Sequence, residues 1–270
     1  MDSRPVGILD SGLGGLTAVK ELRKLLPNEK IVYFGDTGRN PYGTRSNETL
    51  RTYLRQDVAF LREHNVKCLI VACGTLSSTV LPQFSCDIPV VDVIGPAAAL
   101  AARDSRNRRV GVMATTACIR GMGFQKTLAR LSPDIQVTVN DAPLLVPIIE
   151  NGRVTSGDIV AETLVEEYLA PHIRAGVDTL ILGCTHYPLL TPLIEARLAP
   201  GVTLINSGAE AAREMAEVLR GTDEEADRGQ TGESTFYVSD NVEGFSKSAG
   251  LFLGEPVGAQ AFWVDTSSFL

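Results

Sequence analysis

Residues 69–78 read LIVACGTLSS, and residues 180–188 read LILGCTHYP. In each stretch an apolar run stops at a cysteine, Cys73 or Cys184, and hydroxyl-bearing residues follow within two positions. Continuous apolar character without polar alternation predicts a strand buried on both faces, the kind found in parallel sheets covered by helices. One chain therefore ends two buried strands in a thiol.

Other runs have the same character: VGILD (6–10), KIVYFGD (30–36), PVVDVIG (89–95), RVGVMATT (109–116), IQVTVNDAP (135–143) and VTLINSG (202–208). Helical spacing of apolar residues separates them. A helix is predicted over TAVKELRKLL, another over 47–64 from Leu50, Tyr53, Leu54, Val58 and Leu61, and a third over 157–174. Strands alternating with helices predict an α/β fold with two parallel sheets. Sliding the chain on itself lays Val6–Ser11 over Val110–Thr115, and Cys73 over Cys184. The repeat is far too long for a solenoid, so two related halves are expected. The first is residues 1–96 with a return over 208–270, carrying Asp10 and Cys73. The second is 97–207, carrying Thr115, Cys184 and His186. The polar segment 221–234 reads as a surface loop, and 236–255 holds a further strand and helix. Ligands of open parallel sheets sit beyond the carboxyl ends of the strands. Asp10, Asp36, Cys73, Thr115 and Cys184 all fall there, which predicts one cleft between facing halves.

Composition narrows the function. With 44% hydrophobic and 21% charged residues the chain suits a soluble globular fold, and a net charge of −7 argues against a phosphate-backbone binder. The densest basic cluster, Arg106, Arg108 and Arg109, reads as a solvated loop. The first fifteen residues meet Asp10 after only a short apolar stretch, unlike a signal peptide. The longer apolar window 88–102 is broken by Asp92, Gly95 and Pro96, so no membrane span is expected. Five cysteines, odd in number and scattered, match neither a disulfide framework nor a metal site, and reduced thiols in the cytoplasm are expected.

Several uses for the cysteines compete. Cys68 and Cys86 read as small core residues. Cys73 and Cys184, at strand ends among polar neighbours, could also be core, or one could be a hydrolytic nucleophile with His186 as its base. Neither use explains why the second half has a matching thiol. A two-base proton exchange does: inverting a carbon centre needs an ionised group on one face and a protonated group on the other, and thiols titrate in a suitable range. Asp10 could instead cap the helix after the Gly-rich turn, Tyr42 could be a turn residue, and His186 a core histidine. SGLGG lacks the dinucleotide-loop spacing, so no nicotinamide cofactor is expected. Lys30 and Lys67, at strand entrances, do not suggest a pyridoxal-phosphate lysine.

The blocks LDSGLGG (9–15), YFGDTGRNPYG (33–43), VACGT (71–75), PLLVPIIENG (143–152), LGCTHYPLL (182–190) and INSGAEAARE (205–214) run in order over nearly the whole chain. Together they resemble the cofactor-independent glutamate racemases of the aspartate/glutamate racemase superfamily. The resemblance implies that Cys73 and Cys184 are the catalytic thiols, acting on the D and L forms respectively, with Asp10 and His186 as their helpers. It implies that Ser11, Pro41, Tyr42, Gly43, Thr75, Thr115 and Thr185 hold the amino acid, and that Glu150 lies on the second thiol's side. It further implies D-glutamate for peptidoglycan, a cytoplasmic enzyme, a homodimer as one possible assembly, and no cofactor, metal, nucleic acid or membrane. An N-terminal extension carried by some members, linked to activation by a peptidoglycan precursor, is expected to be missing, since Asp10 is only nine residues from Met1.

Four positions depart from the family pattern. Gly74 stands where asparagine is usual, Cys118 where threonine is usual, and Gly121 and Phe124 where serine and tyrosine are usual. A hydrogen bond to a charged group is worth about 1.5–3 kcal/mol. The departures at Gly74 and Cys118 therefore keep three alternatives open: a different or larger amino acid admitted by space at Gly74, a slow glutamate racemase, or a non-catalytic amino-acid-binding protein.

Overall fold

The computed structural model describes residues 1–256 and 261–269. The first sheet grows from β1 (Val6–Asp10), β2 (Ile31–Gly35), β3 (Cys68–Val71) and β4 (Val90–Asp92). Helices α1 (Leu16–Leu25), α2 (Asn47–Glu63) and α3 (Gly74–Thr79) connect them. The chain crosses over through α4 (Gly95–Asp104) to β5 (Arg109–Ala114), α5 (Thr116–Gly121), α6 (Gly123–Leu131) and β6 (Gln136–Asp141). It continues through α7 (Leu145–Glu150), α8 (Ile159–Ala175), β7 (Thr179–Leu182), α9 (Thr191–Glu195) and β8 (Thr203–Asn206). It returns through α10 (Ser207–Gly221), β9 (Ser234–Val238), α11 (Val242–Leu253) and β10 (Ala261–Trp263).

The strands form two sheets, ordered β10-β9-β2-β1-β3-β4 and β6-β5-β7-β8. Every pairing in both is parallel. The repeat seen in the sequence is thus a repeat of topology. β1 lies between β2 and β3 as β5 lies between β6 and β7, and Val6 pairs with Cys68 where Val110 pairs with Thr179. Equal register carries Cys73 and Cys184 to equivalent places, each just past a strand whose residues are all buried. β10, an edge strand of three residues, was not foreseen: its alternation is too short to carry a signal.

Local chemistry sets the helix boundaries. The Ser46 hydroxyl accepts from the Thr49 amide at the start of α2, and Asp158 accepts from the Val160 and Ala161 amides at the start of α8. α8 stops at Gly176, whose φ of 63° suits glycine. Lys67 is buried at the foot of β3, away from the strand carboxyl ends. Its Nζ lies 2.8 Å from Glu29 and donates to the Asp2 and Glu224 carbonyls. Cys68 belongs to the core, but Cys86 is half-buried in the loop before β4, so its assignment to the core is corrected. There it packs against the rim of the core with one side open. Among the described residues no helix is long and apolar enough to cross a membrane.

One buried group lacks compensation. His172 of α8 is fully buried, and neither ring nitrogen finds a hydrogen-bond partner among the described residues. Burial depresses its pKa from 6.5 to about 4, so the stability due to the neutral ring is complete above pH 6.5 and is lost as pH falls toward 4. That interval corresponds to on the order of 3 kcal/mol. His172→Leu is expected to match or exceed wild-type stability at neutral pH and to exceed it clearly near about pH 5, measured by urea denaturation at both pH values.

Candidate active site

The strand ends open into a cavity of about 490 Å³ between the halves. Asp10, Ser11, Pro41, Tyr42, Gly43, Cys73, Gly74 and Thr75 line it from one side, and Thr115, Cys184, Thr185, His186 and Glu150 from the other. Of the residues predicted to face the cleft, Cys118 and Asp36 are absent from the lining. Asn40, Thr116, Pro143, Val146, Pro147 and Asn151 also line the cavity. Asn40 stands inside the quoted NPYG block, where attention to its amide would have found it. The others lie in loops and short helices that carry no periodic signal.

Cys73 precedes the first turn of α3, and burial pushes its thiol up to about 12. The negative charge of Asp10 adds to this, only partly opposed by amides of Leu76 and Thr75 and the Ser11 side chain. Asp10 accepts from the Gly12 amide at 3.1 Å, inside the Gly-rich turn. Its own carboxyl is raised by burial despite His186 and the turn amides. It does not cap α1: the residue before that helix is Gly15, which makes no side-chain cap. Cys73 therefore holds its proton at neutral pH.

The second thiol has the opposite neighbour. Cys184 Sγ lies 3.7 Å from His186 Nδ1, and His186 Nε2 lies 3.0 Å from Glu150 Oε1. Burial alone would push the imidazole down, but its hydrogen bonds to Cys184 and Glu150 lift it to about 10. His186 and Cys184 are thus held as one buried hydrogen-bonded pair, with Glu150 on the far nitrogen. Glu150 thus acts on the sulfur through the ring. His186 is walled by the edge of Phe252 from α11, ring centroids 5.3 Å apart, and by Gly14 of the first half. A Cβ on Gly14 would lie 2.4 Å from His186 Nδ1 and from Thr185 Oγ1, so the Gly-rich turn serves close approach between halves. Thr17 Oγ1 donates to the Thr185 carbonyl across the same seam.

Three expectations need correction. Asp36 ends a strand but is fully buried and turned away from the cavity, toward Arg39, Tyr42 and Ser239. The Tyr42 hydroxyl points to the same place, so Tyr42 meets the cavity without that hydroxyl. Cys118 is buried with its sulfur 3.1 Å from Ser78 Oγ and 4.0 Å from the Gly183 carbonyl. Nor does Gly74 open a space: its missing Cβ would lie 2.8 Å from the Gly183 carbonyl oxygen and 3.6 Å from Cys118 Sγ. The remaining departures share this seam. Phe124 presses on Gly183, and a Cβ on Gly121 would meet Ser78 Cβ at 2.7 Å. The four unusual residues are one repacking of α3 against α5 and α6, more than a set of lost substrate contacts.

Among the described residues no group of three or more His, Cys, Asp or Glu is placed to hold a metal ion.

Known proteins resemble this chain in sequence and in fold. The Asp/Glu/Hydantoin racemase family profile matches residues 20–215. A glutamate racemase of Geobacter metallireducens is 42% identical over 260 residues, 96% of each chain. One of Lactococcus lactis is 43% identical over 255 residues, 94% of this chain and 93% of the relative. The crystal structure of a Francisella tularensis glutamate racemase in complex with D-glutamate superposes with a TM-score of 0.90 at 34% identity, covering all of both chains.

The seam supplies a test. Gly74→Ala is expected to cost about 1–3 kcal/mol, because backbone on both sides must part. Gly43→Ala, whose Cβ would lie 3.8 Å from Ala117, is expected to stay within about 0.5 kcal/mol of wild type. Equilibrium urea melts of the two variants would show the difference.

Proposed function

The chain belongs to the Asp/Glu/Hydantoin racemase family, and we propose that it interconverts L- and D-glutamate by proton exchange at the α-carbon between Cys73 and Cys184. The observation that carries this reading is the pair of thiols at matching strand ends, lining one cavity with helpers of opposite charge.

The Cys184 thiolate, beside imidazolium, removes the α-proton from one face and becomes a thiol. The electron pair of the broken C–H bond spreads onto the substrate carboxylate. The Cys73 thiol then gives its proton to the opposite face and becomes a thiolate. With Cys184 serving the L form, this order of steps converts L to D, and the same steps in reverse convert D to L. Hydroxyls of Ser11, Thr75, Thr115 and Thr185 would bind the amino and carboxylate groups. Thr75 Oγ1 and Thr115 Oγ1 stand 3.5 Å apart, which supports binding from both halves at once. Residues 1–96 with 208–270 would close on 97–207, and excluding water would strengthen every charge interaction within. The D-glutamate formed would supply peptidoglycan from the cytoplasm, where thiols stay reduced. The bound D-glutamate of the Francisella structure supports the substrate class.

Either enantiomer incubated with the protein in D₂O should gain deuterium at the α-carbon as optical rotation decays. Rotation that never decays, with no label from aspartate or glutamate, would leave only a binding role. Cys73→Ala and Cys184→Ala should each lose about two to four decades of turnover. His186→Gln should lower kcat/KM by about one to two decades, and by the same factor from both enantiomers, because these are equal in free energy in solution.

A further inference from the structure

Behind the cavity wall formed by residues 40–43 lies a polar cluster that the proton-exchange reading does not use. Asp36 follows β2 and Asp57 sits within α2, and both side chains are fully buried. The one guanidinium between them is Arg39, which gives Nε to Asp36 at 2.6 Å, Nη2 to Asp57 at 2.5 Å and Nη1 to Gln56 at 2.5 Å. Tyr53 stacks beneath that guanidinium, 4.1 Å from ring centroid to Cζ. The Tyr42 hydroxyl touches Asp36 Oδ2 and also Asp57 Oδ2, the latter at 3.0 Å.

Counting hydrogens decides the charge state. A tyrosine hydroxyl has one hydrogen and can donate to only one of two carboxylates. Asp36 is the better anion: Ser239 Oγ donates to its Oδ1 at 2.7 Å, and Arg39 and Tyr42 donate to its Oδ2. Among the described residues Arg39 donates to Asp57 Oδ1, and the one hydrogen-bonding group at its Oδ2 is the Tyr42 hydroxyl. Its Oδ2 would face the Tyr42 oxygen as a second bare acceptor unless it carries the missing hydrogen. A single cation between two dry carboxylates leads to the same conclusion, since an uncompensated buried charge is costly. We infer that Asp57 is a positioning residue that works as a neutral carboxylic acid, donating its proton to the Tyr42 hydroxyl oxygen and so fixing the 40–43 wall of the cavity. Burial and the neighbouring Asp36 hold the Asp57 carboxyl well above the ordinary range, in keeping with this count. The groups facing it are Asp36 and Arg39 from the segment after β2, and Tyr42 from the following turn.

The kinetic part of the inference rests on the racemase reading, while the proton itself does not. A carboxyl whose folded pKa is raised gives its full stability below about 3.8 and loses it as pH climbs toward the folded value. Asparagine copies the neutral acid: its amide donates to Tyr42 and its oxygen accepts from Arg39. Asp57→Asn is therefore expected to melt above wild type by at least about 4 °C near pH 8, with the gap narrowing toward pH 4. Its KM for L- and D-glutamate should stay within about two-fold of wild type, while Asp57→Ala should raise KM at least about ten-fold with kcat changed much less. The inference is overturned if Asp57→Asn melts below wild type at pH 8, or if its KM rises as far as that of Asp57→Ala. A wild-type chain that turns over neither enantiomer would sink the racemase reading instead. The melting comparison, which needs no substrate, would still decide for or against the buried proton.

Discussion

A sulfur buried at the end of a parallel strand has no water to support its charge, so burial favours its proton and the immediate neighbour adds to or opposes that preference. Here the two neighbours have opposite signs. Asp10 lies beside Cys73 and holds that thiol protonated, while the His186 imidazolium lies beside Cys184. The folds that carry the two sulfurs are matched in strand order and register. Symmetry of the frame places both groups around one small volume, and asymmetry of the helpers sets a carboxylate beside one and an imidazole beside the other. Proton exchange needs both properties together.

Much of this frame could be read from the chain. Residues such as Leu69–Val71 and Leu180–Leu182 are apolar without alternation because helices cover both faces of their sheets, and that pattern survives in sequence. The repeat was legible because the paired strands keep one register, so Val6 and Val110 fill equivalent slots. Cys73, Cys184, Asp10 and His186 were legible because strand ends are where parallel sheets expose chemistry.

Other features were not legible, for physical reasons that differ by residue. Asp36 ends a strand as Asp10 does, yet loop geometry turns one into the interior and the other to the cavity. Nothing in composition distinguishes them. Glu150 reaches His186 only because α7 ends where it does, a tertiary fact. Gly74 and Cys118 read in sequence as lost polar contacts, because sequence does not show what packs against them. In space they share a seam with Gly121, Phe124 and Gly183, where the glycines leave room for a close approach and the Phe124 ring fills the space beside Gly183. A missing side chain makes room only if nothing else moves in, and the Gly183 carbonyl occupies that place.

His186 owes its dry setting to parts of the chain that are far apart: the turn at Gly14, the end of α7 at Glu150, and Phe252 in α11. The last of these is made late. A growing polypeptide would already contain both cysteines, both sheet cores and the glutamate while one side of the imidazole still faced solvent. The dry setting of the imidazole is therefore tied to docking of a helix that contains neither cysteine, and truncation before residue 242 would leave both thiols present and take one wall from the ring.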